Sequence, residues 1–368
     1  MKLSVVVPTY NRSDLLGRSL RALLEQSAAP DDYEIVVVDD GSTDITPQIA
    51  AEVEAASGGR LRCFRQQNQG PAAARNRGVR EARGAIILFT GDDCLADRNL
   101  VAEHLRVHTQ EGDLGVVGHV AWHPELAITP FMAFLEEGVQ FGFKRIKDPD
   151  HVTAWCFYTA NCSVQKHRME EAGGFDEDFK HAAYEDIELA YRMQQRGLRI
   201  VYRPAALTCH HHQTTIKQYV ARQRLAGRSA VLFAQKHPEL KGMLGIHHGA
   251  RTSLAVSFFE VVVAYGYALG VREALREQAP APGDELEVLF EDPALEAAGD
   301  AWQQEVFQAL KGEHLRDAVE LIRLRRQVQA MREEWDRVTS RRLYRWSEAV
   351  AKAAWGLLRG LGVRRSRT

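Results

Sequence analysis

The sequence lacks the signals that announce several common protein classes. Its five cysteines, Cys63, Cys94, Cys156, Cys162 and Cys209, show no C-x-x-C spacing, so neither a zinc site nor a disulfide framework is suggested and a reducing compartment suits them. No G-x-G-x-x-G follows the first apolar run, and no G-x-x-x-x-G-K-[ST] occurs, which removes the dinucleotide fingerprint and the P-loop. Charge of one sign is missing too. With 47 basic and 49 acidic residues, a net charge of -2 and a pI of about 6.7, the chain has no overall electrostatic grip on nucleic acid, which is not an expected partner. The opening valines form a run too short for a secretory signal, so the expectation is a cytoplasmic protein. Only Leu254 to Val271, 18 residues, approaches the length of a membrane span. Glu260 near its centre would be costly in lipid, so a buried or interfacial helix is expected there.

What is present is enough for a substantial core. At 368 residues and 45% hydrophobic, the chain predicts two or three units. Leu3 to Val7 reads as a strand closed by Pro8, and Thr9 to Ser13 leads into a helix carrying Leu15, Leu16, Leu20, Leu23 and Leu24. Tyr33 to Val38 is a second buried strand, Asp39 to Asp44 a turn and cap, and Ile45 to Ala56 a helix. Two strand–helix units in succession predict an α/β fold with a doubly wound, mostly parallel sheet. Leu61 to Phe64 adds a strand, and Gly70-Pro71 starts a helix at its favoured first position. Arg75 and Arg77 on that helix either carry charge toward a diphosphate or line a solvated face.

The stretch Ile86 to Cys94 organises the rest. An apolar, β-branched run reads as a buried strand, and it ends in Asp92 and Asp93. Ligands of open α/β sheets gather at the carboxyl ends of strands. Paired carboxylates there either close a turn or hold Mg²⁺ or Mn²⁺, which share their remaining positions with substrate phosphates. Downstream, Leu114 to Val120 is a further strand, and Trp122 to Lys147 is aromatic-rich without a clear period. Trp122, Trp155 and Tyr158 are either core or a sugar platform. Ala160 to Val164 precedes a helix capped at Gly173-Gly174. Glu185 and Glu188 fall on adjacent turns of a following helix, with Asp186 near its start, where the helix dipole favours an ionised carboxylate. The run Cys209-His210-His211-His212 ends a strand-like segment. Alternation lets only one of its histidines face a given ion, with His212 sharing the face of His210.

Four motifs in order, Val-Val-Val-Pro-Thr-Tyr-Asn-Arg, Val-Val-Val-Asp-Asp-Gly-Ser-Thr-Asp, Asn-Gln-Gly-Pro-Ala-Ala-Ala-Arg-Asn-Arg-Gly and Phe-Thr-Gly-Asp-Asp, resemble the family 2 glycosyltransferases of the GT-A fold. That resemblance covers roughly the first 235 residues. It implies an inverting transfer of sugar from a nucleotide diphosphate sugar to a hydroxyl acceptor, assisted by Mn²⁺ or Mg²⁺. By the same resemblance Pro8, Thr9 and Asp40 line the nucleotide pocket, Asp39 lies beside it and Arg75 approaches the nucleotide. Asp93 and His210 would hold the metal and Asp92 would face ribose or sugar. Asp186 would be the base that takes the acceptor's proton, with Glu185, Trp155 and Tyr158 on the acceptor side. One departure stands out: the family's usual Asp-x-Asp would need Asp at position 91, where this chain has Gly91. The competing readings are a sugar-phosphate nucleotidyltransferase, against which the loop Pro8 to Arg12 lacks a Gly-rich basic start, and a scaffold that kept the fold without turnover.

Beyond the glycosyltransferase region, 1–235, the expectation is an apolar helical segment, 236–278, an acidic linker, 279–305, and a helical region, 306–368. Leu321, Leu324, Val328, Met331, Trp335 and Val338 make a short heptad-like seam, compatible with a homodimer or an ordinary amphipathic helix. From Arg341 to Thr368 eight Lys or Arg face one Glu. With Arg345, Lys352 and Arg359 on one helix face and apolar residues on the other, the tail predicts peripheral binding to an anionic membrane surface, with docking to a protein as the alternative. A cell-envelope or glycolipid acceptor would give it a purpose.

Overall fold

The computed structural model describes residues 1–136 and 140–240; apart from 236–240, the apolar segment anticipated above lies outside the described residues, as do the acidic linker, heptad seam and basic tail. The chain divides into two units, one of Met1–Ile128 with Met132–Thr214, the other of Thr129–Phe131 with the chain from Thr215. Within the second, α8 (Ile216–Lys236) opens on a capping box between Thr215 and Gln218, and the ring of Phe131 meets that of Tyr219 edge-on at 5.6 Å. Among the described residues no helix is long and apolar enough to cross a membrane.

The first unit is built on one mixed sheet. Its strands are β1 (Leu3–Thr9), β2 (Tyr33–Asp39), β3 (Leu61–Arg65), β4 (Ile86–Thr90), β5 (Cys94–Ala96), β6 (Gly115–Trp122), β7 (Asn161–Gln165) and β8 (Ile200–His210), in the order β3-β2-β1-β4-β7-β6-β8-β5. The pairs β3-β2-β1-β4 are parallel, and β7 runs antiparallel between β4 and β6. The helices α1 (Leu16–Leu24), α2 (Thr46–Ala56), α3 (Pro71–Glu81), α4 (Leu100–Glu111), α5 (Pro130–Phe134), α6 (Lys166–Ala172) and α7 (Glu185–Gln195) punctuate them.

Alternation along the strands explains why the runs are apolar throughout. Val5, Val7, Ile35, Val37 and Leu88 pack on one face with Leu16, Leu20 and Leu23 of α1, Ala50 and Val53 of α2 and Leu100 of α4. Val6, Val36, Val38 and Phe89 pack on the other with Ala72, Ala74 and Val79 of α3, Met169 of α6 and Leu189 and Met193 of α7. A strand covered on both sides has no solvent face to keep polar. Each fully buried Leu or Val removes apolar surface worth about 1.5–3 kcal/mol. Pro8 fits at the end of β1 because it lies past Val6, the last residue paired with β4, where no amide is needed on that side.

The buried strand expected in the stretch Ile86 to Cys94 is β4, which stops at Thr90; Gly91 to Asp93 turn the chain, and Cys94 to Ala96, not anticipated as a strand, pair antiparallel with the end of β8. That three-residue edge strand has no pattern of its own; its partner, distant in sequence, defines it. The strand-like segment that ends in the histidine run is β8, which continues through Pro204 with a register shift against β6 between Gly118 and His119.

Candidate active site

Strand register brings the chemistry-bearing residues to one edge of the sheet. Thr9 stands beside Asp39 where β1 and β2 end. Thr90, at the end of β4, faces Asn161 at the start of β7, so the turn carrying Asp92 and Asp93 lies beside the segment that enters β7. That segment reaches Asp186: the amide and hydroxyl of Thr159 both donate to its Oδ2, at 3.1 and 3.4 Å, while the amide of Ile187 donates to Oδ1 at 2.8 Å. Cys94 is paired with His210 in the β5–β8 ladder, which sets the imidazole against the neighbouring Asp93, Nε2 to Oδ2 at 3.3 Å. His211 points elsewhere, its backbone amide donating to the Asp93 carbonyl at 2.8 Å.

The acidic pair is buried in a way that rewards added positive charge. Burial and the neighbouring Asp93 push the Asp92 carboxyl up to about 6, against the opposing pull of Arg12. Burial alone would raise Asp93 as well, but His210 and Arg12 outweigh it and hold Asp93 well below the usual carboxylate range. The His210 Nδ1 is buried without a hydrogen-bond partner. Two crowded carboxylates and an imidazole aimed at one of them form a donor set suited to Mn²⁺ or Mg²⁺, so the residues present fit such an ion. Gly91 belongs to this packing: a Cβ there would lie 2.9 Å from Asp93 Oδ1 and 3.1 Å from Cys94 Sγ.

Of the other anticipated nucleotide-side residues, Asp40 is heavily committed. It accepts from the Gln66 side chain at 2.9 Å and from the amides of Gln69 and Gly70 at 3.0 and 2.8 Å, tying down the loop before α3. Asp39 accepts from the Ser42 amide at 2.9 Å and faces Arg65 at 3.2 Å. Thr9 is buried, with its hydroxyl unpartnered. Arg75 is buried on α3 and donates to Glu185 Oε1 at 2.7 Å, its guanidinium 5.6 Å from the Phe175 ring centroid. It therefore links the helix after the Asp40 loop to the first residue of α7, next to Asp186. Burial, then repulsion from Asp186, push Glu185 up to about 7 despite Arg75. Trp155 meets Tyr184 edge-on at 6.3 Å, and the Tyr158 hydroxyl accepts from the Gly142 amide at 3.1 Å. Tyr184 caps α7 in the left-handed region, φ 70°, a conformation unusual for a tyrosine that aims the start of the helix at Thr159.

Three features escaped the sequence reading. Arg12 lies 3.5 Å from each of Asp92 and Asp93. A buried network joins His104 Nδ1 to Ser163 Oγ at 2.7 Å, His104 Nε2 to Asn161 Oδ1 at 2.9 Å and His108 Nε2 to Ser163 Oγ at 2.8 Å, fastening α4 to β7. His123, Glu125 and His211 converge with ligand atoms within 4.8 Å, but Arg18 already meets Glu125 at 2.9 Å. Histidines at i and i+4 of an amphipathic helix were the available signal for the second; the others join residues far apart in sequence.

The sheet, with its antiparallel insertion and acidic turn, defines a GT-A fold. A mannosyltransferase from Pyrobaculum calidifontis, solved in complex with GDP-Man and Mn²⁺, shares it with a TM-score of 0.53 at 20% identity, covering 86% of each chain. S. aureus TarS matches with a TM-score of 0.50 at 18% identity, over 90% of this chain and 53% of its own. Residues 4–167 match the family described as Glycosyl transferase family 2. Validoxylamine A glucosyltransferase from Streptomyces hygroscopicus subsp. limoneus is 33% identical over 268 residues, 65% of this chain and 57% of that protein. Pre-mycofactocin glycosyltransferase from Mycobacterium tuberculosis is 28% identical over 257 residues, 67% and 50% of the two chains. The chain thus spans little more than half the length of these curated relatives. Over residues 4–167 it is similar to the family 2 glycosyltransferases, and over a longer stretch to these relatives.

Proposed function

We propose that the protein transfers a hexosyl group from a nucleotide diphosphate sugar to a hydroxyl acceptor with inversion at the anomeric carbon. The observation that carries this reading is the shared sheet edge: an acidic pair with His210 on one side of the β4–β7 junction, and Asp186 fixed by Thr159 on the other. In the proposed reaction the acceptor oxygen attacks the anomeric carbon opposite the diphosphate. Asp186 takes the hydroxyl proton on its oriented carboxylate as the new bond forms, and the nucleoside diphosphate departs. A divalent cation held by Asp93 and His210 would stabilise the charge on that leaving group. Thr9, Pro8, Asp39 and the loop held by Asp40 would seat the nucleoside, and Asp92 would face its ribose or the sugar. Trp155 and Tyr158 flank the Asp186 side and would take the acceptor. Arg75 is assigned a different role from direct nucleotide contact, that of positioning Glu185 and hence the start of α7.

The relatives named as glycosyltransferases, one of them a glucosyltransferase, support the hexosyl donor. The acceptor is proposed to be an envelope or lipid-linked glycoside. The test is release of free nucleoside diphosphate by the full chain from UDP-, GDP- and dTDP-sugars with Mn²⁺, Mg²⁺ or EDTA. Metal-dependent release from one donor is expected. Release that EDTA leaves untouched would remove the cation from the mechanism, and no release with no rise in melting temperature for any donor would sink the transferase reading.

A further inference from the structure

The carboxylates of Asp92 and Asp93 are already met by a cation of the chain's own. Arg12 sets Nε 3.5 Å from Asp92 Oδ1 and Nη2 3.5 Å from Asp93 Oδ2. Its backbone is anchored. The Arg12 amide donates to Thr46 Oγ1 at 2.8 Å, and Asn11 before it is held at a left-handed φ of 50° by its own amide donating to Ser42 Oγ at 2.9 Å and its side chain accepting from the Thr43 amide at 2.8 Å. The loop therefore aims the side chain at the acidic turn.

The head group itself is loosely engaged. Both contacts are longer than a charge-assisted hydrogen bond, about 2.7–2.9 Å, and Arg12 Nε is buried without a hydrogen-bond partner. Elsewhere in the same fold a permanent pair looks different: Arg62 grips Glu34 through Nε at 3.1 Å and Nη2 at 2.8 Å. A firm backbone anchor combined with a long, unsaturated head-group contact suits a cation that leaves. We propose that Arg12 is an exchangeable counter-cation: it neutralises Asp92 and Asp93 in the donor-free protein, competes with the divalent cation for them, and moves its guanidinium to the donor's diphosphate when that cation binds. The inference rests on the reading that Asp93 takes a divalent cation. A guanidinium fork matches phosphate oxygens as well as carboxylates, so the same group serves both states.

The consequence is a pair of effects of opposite sign. Mn²⁺ binding to the nucleotide-free full chain, measured by electron paramagnetic resonance of the free ion, should tighten about fivefold or more in Arg12→Gln, the size expected when a partly buried competing ion pair is removed. Binding of UDP or GDP at saturating Mn²⁺ should weaken by a comparable factor, with Arg12→Lys between wild type and Arg12→Gln in both assays. Mn²⁺ affinity that Asp93→Asn abolishes but Arg12→Gln leaves unchanged or weakens overturns this proposal alone. Nucleotide binding undiminished in Arg12→Gln also overturns it. No Mn²⁺ binding to wild type or to Arg12→Gln overturns the cation reading and this proposal together.

Discussion

Replacing Arg75 with Met should destabilise the protein by an amount that grows with pH. Glu185 is 2% exposed and pushed up to about 7 in the folded chain, against an ordinary value of 4.5. A carboxyl whose folded value is raised favours the folded state most below its unfolded value, and that advantage is lost as pH rises through the folded value. At about 1.4 kcal/mol per unit, wild type gives up roughly 3 kcal/mol between pH 4.5 and 7 and little more above it. Without Arg75 nothing offsets the cost of burying the Glu185 charge, its value rises further, and the loss continues. The difference between the two proteins should be nearly independent of pH up to about pH 6, where both hold Glu185 protonated. It should gain up to roughly 0.4 kcal/mol by pH 7 and up to about 2 kcal/mol by pH 8.5, the limit in which the variant keeps Glu185 protonated. Loss of the guanidinium's contact with the Phe175 ring sets the constant part at about 1–2 kcal/mol. Urea midpoints followed by near-ultraviolet circular dichroism at these three pH values would read it. A difference that stays flat from pH 6 to 8.5 would refute the assignment of Glu185 as a buried carboxyl whose charge depends on Arg75.

The histidine network makes a prediction of the opposite sign. Burial drives His104 down to about 3 and His108 down to about 4, so their stabilisation is complete above the unfolded value of 6.5 and drains away as pH falls toward the folded values. Each should cost about 2 kcal/mol at about pH 5, and His104→Gln should lose less stability than wild type between pH 7 and 5; equal losses would contradict a neutral, buried His104. Gly91→Asp restores the family's usual acidic pattern, yet its Cβ would press on Asp93 Oδ1, so Mn²⁺ binding should weaken severalfold. Tighter binding in calorimetry would contradict that packing argument.

Much of the fold was legible because its strands are buried on both faces and its helices carry local start and stop signals. The continuous Val5-Val6-Val7 and Ile35 to Val38 runs have no reading other than two-sided burial once a helix follows each. Gly70-Pro71 and Gly173-Gly174 mark helix ends whose backbone, φ 96° at Gly70 and 82° at Gly173, needs glycine. The Asp93–His210 pairing followed from resemblance and alternation, and the β5–β8 ladder supplies its physical cause. What was not legible depends on partners far along the chain. Arg75 read as a nucleotide-facing cation because its partner, Glu185, is 110 residues away, and Arg12 drew no notice because only the fold turns it toward Asp92 and Asp93. Cys94 to Ala96 became a strand for the same reason: pairing with β8, not propensity, decides it.

The most direct test of the central claim is single-turnover transfer by Asp186→Asn with the donor and cation that support nucleoside diphosphate release by wild type. Asparagine keeps the shape and the hydrogen bond at Oδ1 or Oδ2 but cannot take a proton. The account predicts nucleotide-sugar affinity within about twofold of wild type and a transfer rate lower by about a hundredfold or more. Transfer at the wild-type rate with unchanged affinity would contradict it and remove Asp186 from the chemistry.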